Sequence, residues 1–384
     1  MGAIVLGVWA TIFMISFTYG MVSSYVDNAI ENQISHIQVH VPDFTKDQEY
    51  QYYFENPEHL LAEAKMVEGY RAATVRTLIK GAFSTSKGMR GIEIRGVIPA
   101  EEANVTKLDQ KLVDGKYFQE EGKNQCLVSQ RIADKLGVKV RSKIVLTFQD
   151  LQGQVTAGAF RVVGIFDTGN APFDNGNVFV KEADLNRLLG EENIAHEMAL
   201  ILNDPRQVGA AKAFLQQELP DFKVETYREI SPDVQLYESQ IQNSVNIFIV
   251  IIMLALVFGI INTMLMAVLE RYRELGMLMA IGMNKVRVFL MIFLETIFLA
   301  LVAFIPGLLL GYLSVNYFNV YGINLSAFSK GLEQFGMSKM VYPTLEQGVY
   351  LQMAIAVAIT GILASIYPAW KAINLKPVDA IRKI

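Results

Sequence analysis

At 384 residues the chain is 52% apolar, 10% aromatic and only 19% charged, with a formal net charge of −4. Residues 27–238 carry 24 Lys and Arg against 32 Asp and Glu, while the other 172 positions hold 10 basic and 6 acidic residues. An acidic middle between nearly uncharged flanks disfavours a wholly soluble enzyme, a disordered chain and a nucleic-acid binder; it assigns water to the middle and lipid to the rest.

Uncharged runs longer than about 18 residues are taken as membrane helices, since roughly 20 residues cross about 30 Å of hydrocarbon. Met1–Val26 is the first. No basic segment precedes its apolar stretch, and Met21-Val22-Ser23-Ser24 is a poor small-x-small cleavage site, so a retained span is expected rather than a signal peptide. The chain opens inside this span, so either the true start is upstream or the helix enters the bilayer abruptly. Val22–Ile34 is polar yet helix-compatible and is predicted to continue the span outward as a stalk.

Alternating strand and helix signals follow. Ile37–Val41 reads as a strand and Pro57–Met66 as a helix with Leu60, Leu61 and Ala64 on one face. Tyr70–Phe83 and Met89–Pro99 read as paired strands across a Ser84–Gly88 turn. Next come Leu112–Phe118, a strand Gln125–Ser129 leading into a helix Arg131–Leu136 capped by Gly137, and two β-rich runs, Lys143–Gln149 and Ala159–Phe166. Asn177–Val180 and Glu182–Leu189 form a strand–helix pair. The last third is a strand (Glu197–Leu202), a helix started by Asp204-Pro205 and ending near Glu218, and a strand Phe222–Thr226. Strand–helix–strand units at both ends of a β-rich insert, about 100–190, predict a split α+β domain of two lobes.

Pro232–Asn243 is predicted as a second stalk leading into Ser239–Leu269, 31 residues without a charge. Val288–Phe318 is interrupted only by Glu295 and is expected to bend at Pro306; Gln347–Trp370 is the fourth span. The fold class is therefore an α-helical membrane protein with four transmembrane helices plus a large two-lobed α+β extracytoplasmic domain. Its segments are 1–34 (first span and stalk), 35–231 (outer domain), 232–269 (stalk and second span), 270–285 (cytoplasmic link), 286–318 (third span), 319–345 (external loop), 346–370 (fourth span) and 371–384 (cytoplasmic tail). The link carries Arg271, Arg273, Lys285 and Arg287, the tail Lys371, Lys376, Arg382 and Lys383, but the third connection only Lys330 and Lys339. Basic residues mark the cytoplasmic side, so link, tail and N-terminus are expected there and the acidic domain outside.

No motif supplies a complete catalytic set. Asp167-Thr168-Gly169 matches the triplet of aspartic proteases, but that chemistry needs two such carboxylates and no second copy exists, leaving Gly/Asn turn chemistry. His36 and His40 share a face without a third ligand, and His196-Glu197 lacks the second His of a zincin helix, so no metal site is assigned. Cys126 cannot form an intrachain disulfide and reads as core. Gly122-Lys123-Asn124 lacks the Gly and Ser/Thr of a phosphate loop, so no cofactor is expected on this chain. Glu295, alone inside a span, reads either as a helix–helix contact or polar patch coupled to transport, or as a snorkelling or protonated residue facing a partner helix.

The sharpest signal is Glu270-Arg271-Tyr272-Arg273-Glu274-Leu275-Gly276-Met277-Leu278-Met279-Ala280-Ile281-Gly282. Met277, Leu278 and Ile281 form an apolar stripe behind a charged start, a pattern that simple interfacial anchoring would also explain. This E-R-x-R-E-L-G-x-L-x-A-I-G run resembles the coupling segment of FtsX/MacB-type ABC transporter permeases. The tail from Tyr367-Pro368-Ala369 to Lys376-Pro377-Val378-Asp379-Ala380-Ile381-Arg382 resembles their ending, and one span, a large external domain and three further spans is their layout. Gly91–Pro99, Leu112–Phe118 and Ser35-His36-Ile37-Gln38-Val39 are similar to elements of the lipoprotein-releasing (Lol-type) branch, with Ser35 where that branch has Gly.

The resemblance implies a MacB-like periplasmic core domain, a location in the bacterial inner membrane and a non-enzymatic permease. It implies a partner ABC ATPase dimer that binds ATP and Mg, and a second permease, identical or not. Mechanotransmission is the implied mechanism: closure of the ATPases tilts the spans, and stalks carry the tilt to the external domain. ATPase coupling is then expected from Glu270, Arg271, Arg273, Glu274, Leu275, Gly276, Met279 and Gly282, and membrane polar or packing roles from Glu295 and Pro306. Gly276→Arg is expected to uncouple a still-folded permease. The implied substrate is a lipoprotein. Export of drugs or peptides, or regulation of an external cell-wall hydrolase, stand as alternatives.

Overall fold

The computed structural model describes residues 1–47 and 49–374; the tail motif from Leu375 to Arg382, with Lys376, Arg382 and Lys383, lies outside the described residues. The chain forms two compact units, one of Met1–Val22, Glu238–Asn324 and the chain from Met340 on, the other of Ser23–Tyr237 with Leu325–Lys339.

Four helices are long and apolar enough to cross a membrane: Gly2–Ala29 with its continuation to Ile34, Pro232–Glu270, Lys285–Tyr321 and Gln347–Ile373. In the first unit they meet through small residues. The buried side of the third helix runs Thr296, Ala300, Ala303, Gly307, Gly311, Val315, one residue per turn. A Cβ on Gly307 would lie 2.9 Å from the Val8 Cβ and 3.0 Å from the Val5 carbonyl oxygen, and one on Gly311 would lie 2.8 Å from Ile12. Lipid tails are as apolar as leucine, so helices in a bilayer associate through such close packing rather than by escaping water. Trp9 Nε1 donates to Ser314 Oγ at 2.9 Å along the same seam. Pro306 faces outward within this chain, in a helix that continues through it, and its neighbour Gly307 makes the contact with the first span.

The second unit holds β1 Ile37–His40, β2 Phe54–Glu55, β3 Tyr70–Thr85, β4 Gly88–Val97, β5 Leu112–Gly115, β6 Gln125–Ser129, β7 Lys143–Gln149, β8 Val155–Phe166, β9 Asn177–Lys181, β10 Ile194–Ala195, β11 Glu197–Leu202 and β12 Lys223–Thr226. One sheet runs β12-β1-β11-β3-β4-β9-β6-β8-β5, and β7 pairs with both β3 and β8. Pairing thus closes on itself through β3, β4, β9, β6, β8 and β7. That ring is one lobe; the β12-β1-β11-β3 end, with the helices Glu58–Met66 and Val208–Glu218, is the other. β7 shows why the ring has an inside: Ile144, Leu146 and Phe148 are buried and alternate with Lys143, Val145, Thr147 and Gln149. The expected five-residue turn is tighter than predicted, since Thr85 pairs with Gly88 and leaves Ser86 and Lys87 as the loop.

A five-residue π-helix, Ile30–Ile34, leads into β1 through Ser35, whose φ of 54° and ψ of −175° suit glycine. At Ser35 the side chain carries a backbone cost that a glycine would avoid.

Candidate functional site

The link between the second and third spans is a short helix with a stop at each end. The second-span helix ends at Glu270, Arg271 sits at φ −93° and ψ 17°, and a new helix runs Tyr272–Ala280. Its C-terminus is a Schellman motif: Met283 N–H donates to the Leu278 carbonyl (3.0 Å) and Gly282 N–H to the Met279 carbonyl (3.2 Å), with Gly282 at φ 98°. Asn284 then caps the third span, accepting from Val286 N–H at 3.1 Å. Gly282 is therefore the residue that ends the helix, whatever it touches outside.

The two faces of this helix differ. Leu275 and Gly276 are buried within their own unit, and the half-buried Met279 packs on the same core. Within this chain these three face the permease's own core rather than the outward face. Arginine at the buried Gly276 would be forced into the protein's own packing, so Gly276→Arg reads out folding rather than docking alone. The outward face carries Glu270, Arg273, Glu274, Met277, Ala280 and Ile281, with Met277 57% and Ile281 83% exposed.

Arg271 and Glu295, expected in separate roles, form one ion pair, Nη1 to Oε1 at 2.9 Å. Glu295 lies ten residues past Lys285, about 15 Å along the helix. A lone charge at the centre of a membrane costs about 2.5–3.5 kcal/mol on insertion scales, and a guanidinium beside the carboxylate offsets that cost.

The outer unit holds a buried ionic cluster that no sequence motif marks. Arg76, fully buried on β3, holds Glu102 with Nε and Nη2 (2.9 and 3.0 Å) and Glu197 with Nη1 (2.6 Å), and reaches the Gln33 carbonyl at 3.4 Å. His40 lies 3.4 Å from Glu197 and 3.8 Å from Glu225. Burial opposes charge on Glu197 and His40, but His40 and Arg76 hold Glu197 down to about 2, and Glu197 and Glu225 outweigh burial and raise His40. A guanidinium in a core needs its partners, and this cluster ties β1, β3, β11, β12 and the segment entering β1 into one block. The Asp167-Thr168-Gly169 triplet is a turn: Gly169 N–H donates to Asp167 (3.1 Å) and Thr168 Oγ1 to Asp174 (2.7 Å). Among the described residues no group of three His, Cys, Asp or Glu could hold a metal ion.

Four helices long and apolar enough to cross a membrane and an α+β domain of extracytoplasmic type define a membrane protein with a large extracytoplasmic domain. The family model for the MacB-like periplasmic core domain matches residues 1–218, and that for the FtsX-like permease C-terminal region matches residues 246–377. The chain belongs to the FtsX/MacB-type ABC transporter permeases, a family that works with ABC ATPase partners. Relatives include the lipoprotein-releasing system transmembrane proteins LolC of Neisseria meningitidis (23% identical, spanning 84% of this chain and 81% of the relative) and Haemophilus influenzae (22%, 99% and 91%). The macrolide export ATP-binding/permease protein MacB of Bordetella avium is 24% identical over 58% of this chain and 33% of its own length.

Proposed function

We propose that this chain is the permease subunit of an ABC complex of the bacterial inner membrane, that a separate ATPase docks on the Tyr272–Ala280 helix, and that the complex releases lipoproteins by mechanotransmission. The observation that carries the docking is the split helix: Leu275 and Met279 seat it on the membrane unit while Met277 and Ile281 point away with charged neighbours Arg273 and Glu274. Exposed apolar side chains rimmed by charge suit a protein groove. With no nucleotide loop in the sequence, ATP and Mg are assigned to the partner. The two LolC relatives, which span most of the chain, support the substrate; a MacB relative over a shorter stretch makes export the rival.

Met277→Asp/Ile281→Asp should abolish co-purification of the ATPase in mild detergent while the permease keeps its yield and thermal midpoint. Retention of the ATPase would leave the helix as an interfacial anchor. In native membranes, acylated lipoproteins and a second permease should accompany the wild-type complex. An adaptor protein or a cell-wall hydrolase in their place would overturn the substrate and keep the permease.

A further inference from the structure

The link helix has only nine residues, fewer than an isolated helix needs to persist in water, so its direction must come from what it touches. Neither end is regular helix: Arg271 lies outside helical geometry and Gly282 turns left-handed. Nor is the packing beneath it tight. A cleft of about 150 Å³ lies under it, lined by Met264, Val268, Leu275, Leu278 and Ile292. A gap of that size forfeits part of the contact that would otherwise hold a helix at one angle. Arg271 and Glu295 line the same cleft and close it with the 2.9 Å ion pair. Their side chains are 58% and 41% uncovered by protein, a surface that lipid would screen far less than water does.

We propose that Arg271 and Glu295 are positioning residues: their ion pair pins the link helix to the third span, so that displacement of the link moves the second and third spans together. Arg271 then acts inside the permease rather than on the ATPase. This assignment rests on the coupling role given to the link above. A tilt imposed on the Tyr272–Ala280 helix either carries Glu295 and the third span with it or breaks the pair. Without the pair the helix rocks over its cleft and the imposed motion is lost there.

Spin labels on Ala280→Cys and Phe298→Cys, both exposed, report the angle between link and third span in the full chain in nanodiscs. The native thiol, Cys126, is buried and leaves the two introduced sites to react. The labelled wild type should give one narrow distance distribution; Glu295→Gln and Arg271→Gln should each broaden it, and Arg271→Glu/Glu295→Arg should restore it. In the complex, each single variant should keep the ATPase bound but lower substrate release per ATP about tenfold, with recovery in the exchanged pair. Narrow distances in both single variants, or an exchanged pair no better than either, would overturn the pin. Loss of ATPase binding in Arg271→Gln alone would return Arg271 to the docking surface. Should no ATPase bind the wild type, the coupling reading fails, while the distance measurement still decides whether the pair sets the angle.

Discussion

His196 illustrates how a buried group records its surroundings. Leu78 N–H donates to its Nδ1 (3.3 Å) and its Nε2 lies 3.1 Å from the Tyr50 carbonyl, so a neutral ring with the proton on Nε2 is satisfied at both ends. Adding a proton to Nδ1 would set two donors against each other, and burial pulls the ring down to about 4. Two carboxyl groups run the other way. Burial, with repulsion from Glu101, pushes Glu182 up to about 7, and burial does the same to Asp174 against a hydrogen bond from Thr168 that favours the charge. For these two the stability gain is complete below the ordinary values of 4.5 and 3.8 and is lost as pH rises through about 7. The raised His40 loses its contribution above 6.5 as well, whereas His196 gains between about 4 and 6.5, and Glu197, at about 2, is steady above 4.5. The outer unit should therefore be more stable near pH 5 than near pH 8, because the two carboxyls and His40 lose more over that range than His196 gains. Stepwise-temperature proteolysis of the full chain measures this, and Glu182→Gln and Asp174→Asn, which mimic the protonated forms, should each flatten the decline by about 1 kcal/mol. A decline as steep in both variants as in wild type would show that neither carboxyl titrates as argued.

Helices and strands were read from periodicity because each is a local pattern. Gln125–Ser129, Lys143–Gln149 and Glu197–Leu202 lie where the sequence put them, since apolar alternation or a short apolar run marks a half- or fully buried strand. Their partners are another matter. Closure of the ring requires β3 to meet β7 some sixty residues on, and period-2 alternation says nothing about which edge a strand joins. The one available hint was Gly81 in the middle of a strand, where a Cβ would lie 2.7 Å from the Thr147 carbonyl oxygen. The helix seam was equally available as Gly307-x-x-x-Gly311 but was hidden behind Pro306 as the more conspicuous residue. That seam is testable within one span pair. Gly311→Val would drive branched carbon into Ile12 and should cost about 1–3 kcal/mol, seen as a lower thermal midpoint in detergent. Gly259→Val, where nothing lies within 4 Å, should be neutral or stabilising. Equal midpoints for the two variants would mean the first and third spans do not meet at Gly311.

At the scale of the whole molecule, charge distribution made the architecture legible and tertiary contact supplied the rest. Spans stand out because lipid forbids charge over long runs, and the link stands out because its residues alternate charge with an apolar stripe. That Leu275 and Gly276 turn inward while Met277 and Ile281 turn outward could not be read from the stripe, because a nine-residue helix can be rotated either way until the core beneath it is known. The loop between the third and fourth spans escaped for the same reason: Leu325–Lys339 belongs to the outer unit, where Glu333 bridges Arg131 (2.6 Å) and Lys339 (3.0 Å), residues far apart in sequence. Lys339 is therefore part of a structured contact. Where each of the four helices crosses the bilayer once, parity would put a segment between spans one and two opposite a link between spans two and three, and the basic link is expected on the cytoplasmic side. Ser86→Cys, at the exposed β3–β4 turn, should react with a membrane-impermeant maleimide in intact spheroplasts, and Ala280→Cys only after permeabilisation. The reverse pattern would place the link outside, out of reach of any cytoplasmic ATPase, and with it would go the coupling role of the Tyr272–Ala280 helix.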